Sequence, residues 1–165
     1  MFIYLCIIFF ILGTIFGSFY NVVGYRVPKG ESLLYPSSHC TKCNHKLTPL
    51  ELIPIFSFLF LGGKCYKCKE KISWFYPIFE FLSGLLFMLS FIIFGVTVDC
   101  LLSIVFISML LIIIISDYQT MIIPDEIIIV FGVLILSIKY SLGGFSLLWA
   151  SIFNGILSFL FMFDS

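Results

Sequence analysis

Long uncharged runs alternate with short polar segments along this chain, and the runs have lengths that suit a lipid bilayer. A hydrocarbon core of about 30 Å takes roughly 20 apolar residues as a helix. The runs cover about residues 2–23, 75–95, 100–116, 126–138 and 146–163. The pattern therefore predicts an all-α polytopic membrane protein with about five transmembrane helices.

The polar segments divide the chain into three parts. We expect a first transmembrane helix at 1–24, a loop at 25–73, and a second group of transmembrane helices at 74–165. The first run begins directly at Met1 and lacks a small-residue cleavage site, so we expect a retained helix rather than a removable signal peptide. The run at 126–138 is short for a span.

Composition agrees with a membrane location. Hydrophobic residues make up 61% and charged residues 11% of the chain, which is too little polar surface to cover a soluble globule. The lipid bilayer is therefore an expected partner. A formal net charge of zero gives no basic excess that would favour nucleic acid, and no nucleic-acid partner is expected. Nothing in the composition indicates an oligomeric state.

The basic residues predict the orientation. Of the 9 Lys and Arg residues, all but Lys139 lie in the loop between the first two runs. Because basic residues near span ends are retained in the cytoplasm, we expect this loop inside and the N-terminus outside. Counting spans also places the segment from Asp117 to Asp125 and the C-terminus inside.

Two Cys-x-x-Cys pairs lie within this loop, Cys40 with Cys43 and Cys65 with Cys68. Two such turns supply the four tetrahedral thiolates that Zn²⁺ prefers, and four protein ligands leave no open position for chemistry. A reducing cytoplasm favours metal over disulfides. We therefore predict a structural zinc site, while a redox dithiol remains the alternative.

The stretch between the two pairs has a character of its own. From Glu51 to Gly62 it contains an uncharged run of about ten residues, which is too short to span a bilayer. We expect it to lie against the membrane face or to pack on the transmembrane bundle. Bound metal would tie its two ends together and replace an apolar core.

Carboxylates near the predicted spans are candidates for function, because a charge at membrane depth costs about 2.5 to 3.5 kcal/mol on insertion scales. Glu80 lies about one turn into the second run, where we expect a structural role, by snorkelling or pairing with a loop lysine. Asp117 ends a long uncharged run, where the helix macrodipole disfavours negative charge, so a functional role is favoured. Asp125 follows Pro124, and both a helix cap and a function remain open for it.

Several short motifs follow one another in the first part of the chain. They are Gly17-Ser-Phe-Tyr-Asn-Val-Val-Gly-Tyr-Arg26-Val-Pro28, Cys40-Thr-Lys-Cys43, Glu51-Leu-Ile-Pro54, Gly63-Lys-Cys65-Tyr-Lys-Cys68, Ile72-Ser73, Tyr76-Pro77 with Glu80, and Asp117 followed by Ile123-Pro124-Asp125. In order and spacing these motifs resemble those of the type IV prepilin peptidases, over about residues 9–135.

The resemblance implies a polytopic aspartic endopeptidase of the bacterial cytoplasmic membrane, which cleaves the leader peptide of type IV prepilins and pseudopilins on the cytoplasmic side. By matching position, Asp117 would be the first of two catalytic aspartates, and the four cysteines would be zinc ligands. Gly63 and Lys64 match residues implicated in N-methylation of the new N-terminus, with S-adenosylmethionine as the donor. Asp125, Pro124 and Glu80 belong to the supporting motifs.

The chain departs from the family pattern in one place. The second aspartate of the family lies in a Gly-x-Gly-Asp motif, and no such motif occurs before Ser165. Asp164 follows Phe161-Met162-Phe163, whose bulky side chains replace glycines that allow close helix approach, so we expect a poor substitute. The C-terminal part of the peptidase domain is therefore expected to be missing.

Two functions of other classes remain as alternatives. One is a non-catalytic, zinc-containing membrane module that binds prepilin-like helices or assembly partners. The other is a membrane thiol oxidoreductase, which would need an exposed thiolate of low pKa in a Cys-x-x-Cys pair.

Overall fold

The computed structural model describes residues 1–142 and Phe153, and the long uncharged runs within them are helical. In chain order the helices are α1 (Phe2–Arg26), α2 (Phe56–Phe60), α3 (Phe75–Phe94), α4 (Val98–Thr120) and α5 (125–142). A single 3₁₀ turn, Val27–Lys29, extends α1. The described residues contain no β-strand, only two isolated bridges in the loop. The predicted all-α class is confirmed.

Three helices in the described part of the chain are long and apolar enough to cross a membrane. They are Phe2–Lys29, Phe75–Phe94 and Val98–Thr120. The second agrees with its predicted bounds, whereas the third was predicted at 100–116 and continues to Thr120. Its end is fixed by Met121, whose left-handed backbone (φ 56°) returns its N–H to the Asp117 carbonyl. The predicted span at 146–163 lies outside the described residues, except for the helical Phe153.

The closest helix pair is α1 with α3, and glycines make the approach possible. A Cβ built on Gly13 would lie 2.6 Å from the Ser83 carbonyl oxygen and 2.7 Å from Cα of Gly84. One turn later, a Cβ on Gly17 would lie 2.9 Å from Cα of Glu80. Small residues at such positions let backbones meet closely, so van der Waals packing holds the pair together inside the lipid.

Helix α4 packs on this pair through both apolar and polar contacts. Gly24 of α1 fits against Ile115, which is 1% exposed. The Tyr20 hydroxyl lies 2.6 Å from the Ser108 hydroxyl oxygen and links α1 to α4 across the buried interface. Ile127 of α5 joins the same core. The first turns of α5 are therefore fixed against the bundle.

The chain direction places three helix termini at one end of the bundle. The Asn21 amide donates to the Tyr76 carbonyl at 3.4 Å, which joins the last turns of α1 to the first turn of α3. The Phe75 and Tyr118 rings stack at 4.6 Å, which joins the start of α3 to the end of α4. We call this the loop end, because the cysteine loop connects α1 to α3 there.

Candidate functional site

The two Cys-x-x-Cys pairs come together at the loop end as one cluster. All four sulfur atoms lie within 4.8 Å of one another. The shortest contacts join the two pairs, at 3.7 Å between the Cys40 and Cys68 sulfurs and 3.9 Å between those of Cys43 and Cys65. Four thiolates at about 2.3 Å around one Zn²⁺ would lie about 3.8 Å apart at tetrahedral angles. The donor set therefore fits zinc.

The backbone folds each pair into the same tight hairpin, which we call a knuckle (residues 39–46 and 64–71). The first cysteine of each pair donates its N–H to the carbonyl five residues later, at 3.0 Å in the first knuckle and 2.8 Å in the second. The residue after the second cysteine is left-handed, with φ 52° at Asn44 and 58° at Lys69. Asparagine adopts this conformation readily, whereas lysine does so rarely. Sequence reasoning did not find these turns.

Hydrogen bonds and burial act in opposite directions on two of the thiols. The N–H groups of Cys43 and Lys42 favour the Cys40 thiolate and lower its pKa to about 6. The N–H of Glu70 favours the Cys68 thiolate, but desolvation and the neighbouring sulfurs outweigh it and raise the pKa of Cys68 to about 12. Four adjacent thiolates repel one another, and a divalent cation among them removes that cost.

Glu51 supports the first knuckle and was not predicted as a site residue. Its carboxylate accepts the Thr48 N–H at 2.8 Å and the Thr48 hydroxyl at 2.9 Å, and it lies 3.3 Å from the His45 ring. The Thr48 N–H is the largest cause that lowers the pKa of Glu51. A Thr-x-x-Glu pattern is a known signal for this arrangement and was present in the sequence.

An ion pair joins the knuckles outside the sulfur cluster. The Lys42 ammonium lies 2.9 Å from the Glu70 carboxylate, and both side chains are well exposed. An exposed pair of this kind contributes little to stability. Its geometry nevertheless shows that the two knuckles face each other.

Gly63 and Lys64 lead into the second knuckle. Gly63 has φ 67°, and a Cβ there would lie 2.9 Å from the Phe58 ring. Its N–H donates to the Phe58 carbonyl at 2.8 Å, and its carbonyl accepts the Ile72 N–H at 2.8 Å. Lys64 forms a backbone bridge with Lys71. These contacts account for the glycine by packing alone and give no separate support for S-adenosylmethionine at these residues.

Glu80 is buried between α1 and α3, at 9% exposure. Its carboxylate accepts the backbone N–H of Ile55 at 2.8 Å. This backbone partner replaces the loop lysine considered from the sequence. Ile55 is strained, with φ 63° in a β-branched residue. The bond therefore fixes a costly turn of the loop against the transmembrane pair.

Asp117 lies in the last turn of α4 and is exposed at the loop end. Its neighbour Ser116 is fully buried, and the Ser116 hydroxyl donates to the Ile122 carbonyl at 2.6 Å. The Thr120 hydroxyl donates to the Ser116 carbonyl at 2.8 Å. These bonds hold the connection to α5 against the helix end and fix the backbone next to Asp117.

The connection to α5 places Asp125 just inside the helix. Asp125 is the first residue of α5, and Pro124 before it is buried. The Pro124 carbonyl accepts the Ile127 N–H at 3.2 Å. Pro124, rather than Asp125, thus precedes the helix, which leaves the Asp125 side chain exposed at the loop end. Asp164 lies outside the described residues.

Comparison with known proteins matches the part of the chain that contains the cysteine cluster. A family model described as the bacterial Peptidase A24 N-terminal domain matches residues 11–94. That range contains all four cysteines, Glu80 and the α1–α3 contact, but ends before Asp117. No solved structure matches the chain.

Curated relatives match over a longer part of the chain. A prepilin leader peptidase/N-methyltransferase from Bacillus subtilis (strain 168) is 45% identical over 124 residues, which are 75% of this chain and 50% of the relative. A protein of the same name from Klebsiella pneumoniae is 37% identical over 122 residues, 70% of this chain and 54% of the relative. The chain spans about half the length of these relatives. With half of its residues matched by the family model, the chain belongs to the bacterial A24 peptidase family, that of the prepilin leader peptidases.

Proposed function

We propose that the chain serves as a membrane aspartic endopeptidase of the bacterial cytoplasmic membrane, which removes the leader peptide of type IV prepilins or pseudopilins on the cytoplasmic side. The family match over residues 11–94 is the observation that carries this proposal. N-methylation of the new N-terminus, with S-adenosylmethionine as the methyl donor, belongs to the same proposal because the relatives are named for both activities.

Asp117 is the residue of the described chain that we assign to the chemistry. In an aspartic mechanism one carboxyl stays protonated and polarises the scissile carbonyl, while the other activates a water. Asp117 is exposed on a helix end that the Ser116 bond holds in place, at the loop end of the bundle. It supplies one of these carboxyls. The four cysteines hold a structural zinc ion and take no part in peptide-bond cleavage.

The test is cleavage of a synthetic prepilin leader peptide by the purified chain in detergent. We expect Asp117→Asn to lose at least about 100-fold in rate, since a positioned acid or base typically contributes this much. Asp99→Asn is the matched control, because Asp99 lies in the first turn of α4, at the opposite end of that helix. Asp164→Asn tests whether that residue supplies the second carboxyl.

Two results would contradict the proposal. Cleavage by Asp117→Asn at the wild-type rate would remove Asp117 from the mechanism. A wild-type chain that binds zinc but leaves the peptide intact would favour the non-catalytic zinc module.

The thiol oxidoreductase is supported least by the geometry. The closest sulfur contacts run between the two knuckles, at 3.7 and 3.9 Å, and match a shared metal. Chelation of the metal with no change in thiol redox state would agree with a zinc site. Reversible disulfide formation within a Cys-x-x-Cys pair during turnover would support the redox alternative instead.

A further inference from the structure

Residues 50–61, which we call the interknuckle segment, carry large apolar side chains that the rest of the described chain leaves uncovered. The exposed fraction is 75% for Leu50, 61% for Phe56, 59% for Leu59 and 86% for Phe60. Apolar area in water costs about 25 cal/mol per Å², and a contiguous patch of this kind marks an interaction surface. The position of the segment along the membrane-spanning helices indicates what covers these side chains.

One measure of that depth is the bond between Ile55 and Glu80. Glu80 is the sixth residue of α3, about 7 Å along the helix axis from Phe75. Its carboxylate holds the Ile55 N–H at 2.8 Å. The middle of the interknuckle segment therefore lies level with the second turn of a membrane-spanning helix, rather than above the bundle.

The groove between this segment and α1 gives a second measure. It has a volume of about 420 Å³ and is lined by α1 residues from Phe10 to Ser18 and by loop residues from Pro49 to Phe56. Helix α1 is about 37 Å long, against a hydrocarbon core of about 30 Å. Arg26 ends α1 at the membrane surface, and Ser18 is the groove residue of α1 nearest to it. Ser18 lies about 12 Å from Arg26 along the helix axis, so the whole α1 side of the groove falls within the hydrocarbon.

The backbone of the segment is suited to surroundings without water. At least five of its N–H groups donate to carbonyls inside the segment. Examples are the bonds from Ser57 to Ile53 at 3.1 Å, from Leu59 to Ile55 at 3.1 Å, and from Leu61 to Ser57 at 3.0 Å. Irregular backbone is tolerated at membrane depth where it is buried against protein, and here the segment lines a groove with α1 and is bonded to Glu80 of α3.

Basic side chains flank the segment on both sides. The two knuckles carry six lysines and one acidic residue, Glu70, and that acid is already paired with Lys42 at 2.9 Å. Apolar side chains bordered by lysines match the boundary between acyl chains and anionic headgroups. The six lysines are Lys42, Lys46, Lys64, Lys67, Lys69 and Lys71.

We propose that the interknuckle segment is a re-entrant element, with its exposed apolar side chains embedded among the lipid acyl chains of the leaflet at the loop end. The knuckles then lie at the headgroups, and the zinc site is held at the membrane surface. This proposal needs the membrane-spanning helices but does not depend on the proposed peptidase activity.

The test places single tryptophans in the full chain, reconstituted in vesicles of phosphatidylcholine and phosphatidylglycerol. In a Trp74→Phe, Trp149→Phe background, Phe60→Trp reports on the segment and Tyr66→Trp, at the tip of the second knuckle, is the control. We expect lipids with brominated acyl chains to quench the Phe60→Trp emission at least about twofold more than that of the control. Acrylamide, which is dissolved in the water, should quench the Tyr66→Trp emission more than the Phe60→Trp emission.

Either of two results would overturn the proposal. Equal quenching of both tryptophans by acrylamide, with none by brominated chains, would place the segment in water. Protection of the Phe60→Trp emission from both quenchers would mean that protein, such as a second copy of the chain or a substrate helix, covers the segment. The zinc content of each variant shows that the loop is folded.

Discussion

Gly63 shows how closely the second knuckle is fitted to the segment before it. Its positive φ disfavours any side chain, and the Phe58 ring fills the space where a Cβ would lie. Gly62 has nearly the same φ, 61°, but no atom within 4 Å of its Cβ position. A substitution at Gly62 therefore changes the backbone conformational energy alone, whereas the same substitution at Gly63 also creates a clash with the ring.

We expect Gly62→Ala to destabilise the loop by about 1 kcal/mol, the cost of a left-handed alanine. Gly63→Ala should cost clearly more, because the ring must move as well. The rate at which zinc is transferred to a chelator reports how far the loop is destabilised in each variant. Equal rates for the two would show that the Phe58 contact contributes nothing.

The sulfur cluster leads to a prediction about metal content. Cys65→Ser removes the one buried sulfur of the four, and we expect the affinity for zinc to fall at least about 100-fold. Cys6→Ser is the control, since Cys6 lies in α1 and outside the cluster. Zinc analysis of the purified proteins decides the matter, and full zinc in the Cys65→Ser protein would refute the four-sulfur site.

The sulfur cluster was predictable from the sequence because ligand spacing is a local property. Two residues between cysteines are enough to form a turn around one ion, wherever the chain goes next. The partner of Glu80 was not predictable in this way. It is a backbone N–H 25 positions earlier in the chain, and a backbone donor leaves no sign in the residue type.

Among the helices, the contact between α1 and α3 is set by glycines. At Gly13 a Cβ would meet backbone atoms of α3 at 2.6 and 2.7 Å, and backbone cannot turn away as a side chain can. We expect Gly13→Ala to push the two helices apart and to lower the melting temperature in detergent.

Gly132→Ala in α5 is the matched control. It places the same methyl group where no atom lies within 4 Å, and alanine is a better helix former by about 1 kcal/mol. The control protein should melt no lower than the wild type. A Gly13→Ala protein that melts like the control would mean that α1 and α3 do not pack as described.

The helices themselves followed from hydrophobic length, but their ends did not. Helix α4 passes through Asp117 and Gln119, polar residues that resemble a break, and stops at Met121, a residue with no stop signal. The Ser116 hydroxyl and the Asp117 carbonyl fix that end through contacts with the turn that follows. Such contacts exist only once the turn has folded.

For the molecule as a whole, the structure places the cysteine loop and Asp117 at one end of the bundle. A protease recognition sequence inserted after Gly30 or after Met121 should therefore have the same sidedness, and one after Val96 the opposite. Treatment of intact spheroplasts with the protease shows which of the inserted sequences face the outside. With the loop in the cytoplasm, we expect only the Val96 insertion to be cleaved from outside. Cleavage after Met121 but not after Gly30 would contradict the arrangement.

The arrangement of the helices was the least predictable part. Charge asymmetry predicted the side for each loop, but nothing local indicated that Phe75 stacks on Tyr118 or that α1 lines a groove with the interknuckle segment. These contacts join parts of the chain that are far apart in sequence. They depend on side-chain shape in three dimensions, which periodicity does not encode.

The contact between the two knuckles affects how the first two transmembrane helices find each other. Cys40 and Cys68 are 28 positions apart, inside a connection of roughly 48 residues between α1 and α3. A metal ion that joins them shortens the free path to roughly 20 residues, which lowers the closure cost by about 0.8 kcal/mol. We therefore expect the encounter of α1 with α3 to be about fourfold more frequent in a newly inserted chain that has already acquired zinc. Metal supply during synthesis would then influence the yield of assembled protein.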